Sequence, residues 1–201
     1  MKLARFNILL FLFLSAGFST RAQLLDSIAL SQETEYTDLT EALKNPEKVY
    51  KLNLRKNKLK EIPAEVFTLT NLQELNVSKN KLTKIPKDIS KLTKLEVLDA
   101  SANEIDTLYP EMGLLVNIKK LILNQNIIAH LPSTIGNLMK MNFLDMWGNE
   151  IQVFPKEITK LSTTLKVVDL RVINIHDDQQ EEIVKLLPNT KIYFSLSCNC
   201  N

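Results

Sequence analysis

The chain has 201 residues, of which 25 are basic and 23 are acidic, so its net charge is +2 with neutral histidines. This near balance gives no indication of nucleic-acid binding or of attachment to a membrane surface. The length suits a single domain, and the composition is rich in aliphatic residues with only four glycines.

Residues 1–22 have the parts of a secretory signal peptide in the usual order. Lys2 and Arg5 give a basic start, and residues 6–14 are almost wholly apolar. Small side chains then stand at the −3 and −1 positions of a cut before Gln23. The alternative is an uncleaved membrane anchor, but this apolar core falls short of a full span. We therefore expect cleavage, no membrane span in the remaining chain, and a secreted or extracytoplasmic protein in the periplasm or at the cell surface.

Residues 23–48 form an N-terminal segment in front of a repeat array. The first part has mixed polarity and predicts no regular element. Residues 36–46 predict a short helix with one apolar face, which Thr37 or Asp38 can cap. Because a repeat array exposes apolar core at its open end, we interpret this helix as an N-terminal cap.

Residues 49–174 repeat one pattern six times. Counted from the first apolar residue, the copies begin at Val49, Leu72, Leu95, Ile118, Met141 and Leu165. The spacing is 23 residues, except for 24 before the last copy. The motif L-x-x-L-x-L-x-x-N-x-L at such a period is typical of leucine-rich repeats.

These repeats resemble those of bacterial secreted leucine-rich-repeat proteins, in the variant whose repeats end I-P-x-x-I-x-x-L, as residues 85–92 do. Residues 38–46 (DLTEALKNP) and 186–194 (LLPNTKIYF) resemble the caps of the same proteins. The resemblance implies one right-handed α/β solenoid, a horseshoe segment with a concave parallel β-sheet and helical caps. Many of these proteins have cysteine where this chain has Thr190, so no cysteine role is carried over.

Asparagine occupies the ninth position of five copies. The resemblance implies that these side chains point inward and bond the backbone of the turn that follows each strand. A buried amide is tolerated only when its hydrogen bonds are satisfied, so we predict five buried, structural residues. They are Asn57, Asn80, Asn103, Asn126 and Asn149.

Residues 175–201 form a C-terminal cap and tail. Residues 177–187 predict a helix with acids in its first turn and one apolar face, and residues 191–194 predict a last strand. Cys198 and Cys200 lie in the tail, where a bond between residues so close in sequence would be strained. A tail without a role and a disulfide to another molecule both remain open.

The chain shows no constellation typical of an enzyme. His130 and His176 lie far apart, and no glycine-rich phosphate loop occurs. His176 precedes two aspartates that could relay a proton or bind a metal, but we favour the plainer interpretation of an exposed histidine beside the acids of a helix N-terminus. Asp145 and Asp169 fall on neighbouring strands, yet two carboxylates are too few for a calcium site. We predict no catalysis, no cofactor and no metal.

Outward strand positions carry the strongest functional signal. Alternation sends every second strand residue away from the core. The first two copies present only polar side chains there, whereas the later four also present apolar and aromatic ones. The candidate ligand-binding residues on this concave face are Val97, Ile122, Asn124, Phe143, Asp145, Trp147, Val167 and Arg171.

An aromatic anchor such as Phe143 with Trp147, ringed by polar groups, is typical of a binding hot spot. The alternative is that the terminal cap, or the loop after Trp147, covers the rings and makes them a small inner core. We predict a monomeric, non-catalytic module that recognises a macromolecule, with a protein as the expected partner, and no nucleic acid.

A second hypothesis rests on lysines in the turns of the first two repeats. A basic edge could hold an anionic glycan or another cell-envelope polymer. The plain alternative is a solvated surface, because lysine is commonly exposed. The residues are Lys56, Lys58, Lys60, Lys79, Lys81, Lys84 and Lys87.

Overall fold

A computed structural model describes residues 24–195. The predicted signal peptide, Cys198 and Cys200 lie outside the described residues. Between residues 24 and 195, no helix has both the length and the apolar character needed to cross a membrane.

The described chain is built around one sheet of eight parallel strands, which follow one another in chain order. The strands are β1 (Glu35–Tyr36), β2 (Lys51–Asn53), β3 (Glu74–Asn76), β4 (Val97–Asp99), β5 (Lys120–Ile122), β6 (Phe143–Asp145), β7 (Val167–Leu170) and β8 (Lys191–Phe194). The six repeats supply β2 to β7. Equal repeat positions pair across neighbouring strands, for example Lys120 with Phe143 and Phe143 with Val167. The predicted parallel sheet is therefore confirmed, and β1 and β8 extend it beyond the repeats.

The return path of each coil is a short 3₁₀ helix. These helices are Pro46–Lys48, Ala64–Thr68, Lys87–Lys91, Pro110–Leu114, Ser133–Asn137 and Lys156–Leu161. A proline precedes or begins each of them, and its restricted φ directs the chain into the turn. Gly136 permits close stacking, because a Cβ there would collide with the backbone of Glu157 in the next coil.

The core is a continuous stack of aliphatic side chains between the sheet and the 3₁₀ helices. At the fourth repeat position, Leu52, Leu75, Leu98, Leu121, Leu144 and Val168 are all at most 1% exposed. Burying one such side chain stabilises the fold by about 1.5–3 kcal/mol. Since each coil covers the next, the stack needs a cover only at its two ends.

The N-terminal cap differs from the prediction. A helix over residues 36–46 is wrong in length, because the observed helix α2 spans only Leu39–Ala42. The Asp38 side chain caps it by accepting the N–H of Glu41 at 3.0 Å. Tyr36 belongs instead to β1, whose backbone pairs with β2. An unpredicted helix, α1 (Ser27–Gln32), precedes β1. Pairing with the sheet thus overrode the local helical preference.

The C-terminal cap follows the prediction closely. Helix α3 spans Asp177–Leu186, and β8 adds the last strand to the sheet. Ile183 on α3 and Leu187 just after it are each 1% exposed, so they cover the end of the stack.

The asparagines at the ninth repeat position form a series of side-chain hydrogen bonds along the array, which we call the asparagine ladder. It has four members and not the five that were predicted. The Asn126 Oδ1 accepts the N–H of Ile105 at 3.0 Å, and its Nδ2 donates to the carbonyl oxygens of Ala100 and Leu123. Each side chain therefore ties its own turn to the coil before it. Asn80, Asn103 and Asn149 make the equivalent bonds.

Burial within this ladder is uneven, and the prediction is wrong for Asn57. Asn126 and Asn149 are 5% and 6% exposed, whereas Asn80 and Asn103 are half-buried. Asn57 is exposed, and within residues 24–195 its side chain makes no hydrogen bond. The physical reason is that no complete repeat precedes the first one, so no turn lies where its amide could bind.

The residue before each ladder position adopts the left-handed backbone conformation. The six residues are Lys56, Lys79, Ala102, Gln125, Gly148 and Val172, with φ between 52° and 65°. Glycine is favoured in this region, yet only one copy has it. The turn after each strand is thus held by its hydrogen bonds and not by residue preference.

Candidate functional site

The open face of the sheet is the side that carries the third, fifth and seventh residues of each repeat, opposite the core. The third residues of the repeats form one row across this face, which we call the third row. From β4 to β8 it contains Val97, Lys120, Phe143, Val167 and Lys191. The fifth residues form the fifth row, which from β4 to β8 contains Asp99, Ile122, Asp145, Asp169 and Tyr193. The register therefore decides which predicted site residues are neighbours.

The structure divides the predicted residues into two groups. Val97 is separated from Phe143 by Lys120, so it does not adjoin that ring. With Ile122 it lines a hollow of about 160 Å³ over β1 to β5. The second group lies on β5 to β7 and the residues just after them. It comprises Asn124, Phe143, Asp145, Trp147, Val167 and Arg171, which we call the aromatic patch.

Both rings of the aromatic patch, Phe143 and Trp147, are half-buried. The ladder of backbone bonds continues past β6, since the N–H of Gln125 donates to the carbonyl of Trp147 at 2.7 Å. The backbone that carries the two rings is therefore hydrogen-bonded to both neighbouring coils, although Trp147 itself lies in the turn after β6. Helix α3 of the C-terminal cap packs beside the 3₁₀ helix Lys156–Leu161 on the other side of the coil.

Asp145 is the last residue of β6 and lies between Phe143 and Trp147 in the chain. Its Oδ2 accepts the Asn124 side-chain amide at 2.6 Å, and its Oδ1 accepts the Trp147 N–H at 3.1 Å. Burial raises the pKa of this carboxyl above its ordinary value, and the two hydrogen bonds only partly offset that effect. Asp145 is thus a half-buried carboxylate held by neutral donors.

Asp169 is the equivalent residue on β7, and its surroundings differ. Arg171 binds it through two hydrogen bonds, from Nη2 to Oδ2 at 2.6 Å and from Nε to Oδ1 at 3.0 Å. Burial acts to raise the pKa of Asp169, but the hydrogen bonds and charge of Arg171 outweigh it, so the pKa is lowered. The Arg171 guanidinium also lies 5.7 Å from the centre of the Tyr193 ring.

Tyr193 and Lys191 are neighbours of the aromatic patch that the sequence analysis missed. Tyr193 pairs with Asp169 in the fifth row, and 38% of its surface is exposed. The Lys191 ammonium lies 4.8 Å from the centre of its ring. The alternation of residues 191–194 was the available signal, because a strand that joins the sheet also adds its outward residues to the open face.

The other residues singled out in the sequence do not assemble into a second site. His130 and His176 are exposed, and the backbone N–H of His176 donates to Gln179 at the start of α3. In the part of the chain that the structure describes, no three His, Cys, Asp or Glu residues could together hold a metal ion.

All seven lysines of the proposed basic edge are exposed. Lys87 pairs with Glu111 at 3.2 Å and lies 5.4 Å from the centre of the Tyr109 ring. Within residues 24–195, the other six make no ion pair. Their charge is therefore available to solvent or to an anion.

Comparison with known proteins agrees with this architecture. The profile of the family described as Leucine rich repeat matches residues 47–105. A solved leucine-rich-repeat protein of Leptospira interrogans has a TM-score of 0.64 and 30% identity, over 82% of this chain and 47% of its own. An internalin of Listeria monocytogenes has a TM-score of 0.67 and 24% identity, over 79% of this chain and 45% of its own.

The chain thus spans about half the length of these two structures. No curated protein sequence matches it. Leucine-rich-repeat domains generally bind proteins and are typically non-catalytic. The fold, the repeat period and these similarities together identify the chain as a leucine-rich-repeat protein related to bacterial proteins of this kind.

Proposed function

We propose that the chain is a non-catalytic, extracytoplasmic module that recognises a protein through the aromatic patch. The observation that carries the proposal is the placement of Phe143 on β6 and Trp147 in the turn just after it, on the open face and on either side of Asp145. Apolar side chains on the solvent side of a sheet are the informative exception on a protein surface.

The surroundings of the patch favour a protein partner over a small molecule. Aromatic residues and arginine are the residues most enriched at binding hot spots. The patch sits on a packed parallel sheet, so the free protein already holds its binding conformation and little ordering is needed when a partner binds. Tyr193 and Arg171 add a polar rim on the C-terminal side.

The test uses mature protein to capture partners from envelope extracts and candidate host proteins, followed by affinity measurement with the identified partner. Phe143→Ser and Trp147→Ser should each weaken binding by about 30-fold, which corresponds to about 2 kcal/mol. The melting temperature should change little. The matched control is Glu74→Ser, which occupies the same row as Phe143 on β3. Unchanged affinity in both ring variants would refute the assignment of this patch.

Location outside the cytoplasm is part of the proposal, and the order of residues 1–22 supports it. Mass spectrometry of the exported protein should find Gln23 as the first residue, free or cyclised. An intact Met1 in the membrane fraction would contradict cleavage.

A second candidate function is binding of an anionic polymer through the basic edge, and the six lysines without ion pairs favour it. Binding to polygalacturonate should then weaken steeply as salt rises, because exposed charges are screened. Lys79→Gln and Lys81→Gln should weaken it further. Binding that is insensitive to salt would exclude this candidate and favour the aromatic patch.

A further inference from the structure

Asp145 is a carboxylate of the open face that has no ion pair within residues 24–195, and it differs from Asp99 in the same row because two aromatic rings flank it. The comparable Asp169 is neutralised by Arg171, whereas Asp145 receives only the neutral donors of Asn124 and Trp147. No basic side chain lies within ion-pairing distance of Asp145 in residues 24–195.

If an apolar partner surface covered this face, the charged form of Asp145 would become less stable. A carboxylate that becomes fully buried needs a cation or further donors, since burial otherwise strongly disfavours its charge. Burial already raises its pKa in the free protein. A partner that covers the patch must therefore bring positive charge to this point or bind the protonated carboxyl.

We propose that the protein partner inserts one basic side chain, arginine or lysine, between Phe143 and Trp147 to pair with Asp145. The inference rests on the proposed function, because it names the partner chemistry at the same patch. Phe143 begins β6 and Trp147 lies in the turn just after it, so the two side chains flank that of Asp145 on the open face, and we call the space between the rings the slot. A guanidinium there would bind the carboxylate in two places and meet aromatic ring faces.

The other charged groups near Asp145 are already engaged or lie in another row. Just after β7, Arg171 is held by Asp169. On β8, Lys191 lies over the Tyr193 ring. On β5, Lys120 stands in the third row, beside Phe143 and not beside Asp145. None of these residues supplies the missing cation, so it must come from outside the chain.

The test compares two peptides that differ in one charge. Ac-Gly-Gly-Arg-Gly-Gly-amide and its citrulline counterpart, which is neutral and of similar shape, are titrated against the mature full chain. Trp147 is the only tryptophan, so its fluorescence reports on the slot. The arginine peptide should bind at least five-fold more tightly than the citrulline peptide, and Asp145→Asn should remove this difference.

The matched control is Asp99→Asn, two strands away in the same row. Asp99 also accepts a backbone N–H two residues on, from Ser101 at 3.0 Å, but no ring pair flanks it. This variant should keep the preference for arginine. Equal binding of the two peptides to the parent protein, or a preference that survives Asp145→Asn, would overturn the inference.

A pH series gives a second readout that a purely structural aspartate would not produce. Because the pKa of Asp145 is raised above the ordinary 3.8, ionising it costs stability as pH rises from below that value through the raised pKa. The melting temperature of the parent should therefore fall relative to that of Asp145→Asn as pH rises through the raised pKa. The parent should also lose its preference for arginine as pH falls through that pKa. A difference in melting temperature between parent and Asp145→Asn that does not change with pH would refute the argument.

The two proposals fail in different ways. Suppose that Phe143→Ser and Trp147→Ser abolish binding of the identified partner, while Asp145→Asn still binds the arginine peptide more tightly than the citrulline peptide. Only the pairing of a basic side chain with Asp145 is then refuted. If the ring variants keep the partner, the patch itself is refuted as the binding surface.

Discussion

Replacing Asn126 by leucine should destabilise the protein, whereas the same change at Asn57 should not, although both residues hold the ninth position of their repeats. Asn126 is buried and satisfies backbone groups of two coils, namely the N–H of Ile105 and the carbonyls of Ala100 and Leu123. Asn57 is exposed. The pair separates the effect of position from the effect of burial.

The magnitude follows from the groups that lose their partner. Asn126→Leu leaves the buried N–H of Ile105 without a partner, which costs about 1–3 kcal/mol. The carbonyls of Ala100 and Leu123 each lose one bond, at about 1 kcal/mol apiece, but keep a second amide donor, from Asn103 and Asn149. The new leucine offsets about 2 kcal/mol through burial of its side chain. We expect a net loss of about 1–3 kcal/mol for Asn126→Leu and a change within about 0.5 kcal/mol for Asn57→Leu.

Urea unfolding followed by circular dichroism measures both variants against the parent. With a slope of about 2 kcal/mol per molar urea, the midpoint of Asn126→Leu should fall by about 1 M. The midpoint of Asn57→Leu should stay within about 0.3 M of the parent. Equal shifts in the two variants would refute the claim that inter-coil hydrogen bonds, and not the sequence position, make this asparagine important.

Two further predictions concern the turns and the C-terminal cap. Val172 is β-branched and 64% exposed, and its backbone has the left-handed conformation. Val172→Gly should therefore stabilise the protein by about 1 kcal/mol, whereas Gly148→Val should destabilise it by a similar amount. Melting temperatures that move the same way in both variants would contradict this account. Deletion of residues 177–201 removes α3 and β8 and uncovers the end of the apolar stack, so the shortened chain should aggregate in size-exclusion chromatography. A monomer with the parent's stability would show that these elements are not a cap.

The sequence predicted the repeat region well, because every coil meets nearly the same surroundings. A residue at a given repeat position packs against the same position of its neighbours, so alternation and period were enough to place Leu75 in the core and Phe143 on the open face. The proline before each 3₁₀ helix acts locally, within its own turn. These features depend on contacts that the repeat itself specifies.

The ends of the array were less predictable, since their neighbours are not repeats. Asn57 has the ladder position without the preceding turn, and Tyr36 joins a strand where the local pattern favours a helix. The Gln73 side chain bonds the backbone of Leu25, 48 residues away, at 2.8 and 3.0 Å. No local pattern predicts such a contact.

The candidate site shows the same division between local pattern and tertiary contact. Alternation by itself determined that Asp145 and Asp169 face outward in the same row. Only the folded structure decided that their pKa values move in opposite directions, because Arg171 folds back onto Asp169 while Trp147 offers Asp145 only a backbone N–H. The register likewise put Lys120 between Val97 and Phe143 and brought Tyr193 beside Asp169. These contacts join strands that lie 23 or 24 residues apart in the chain. The tertiary structure therefore decides which charges are paired and which apolar groups touch.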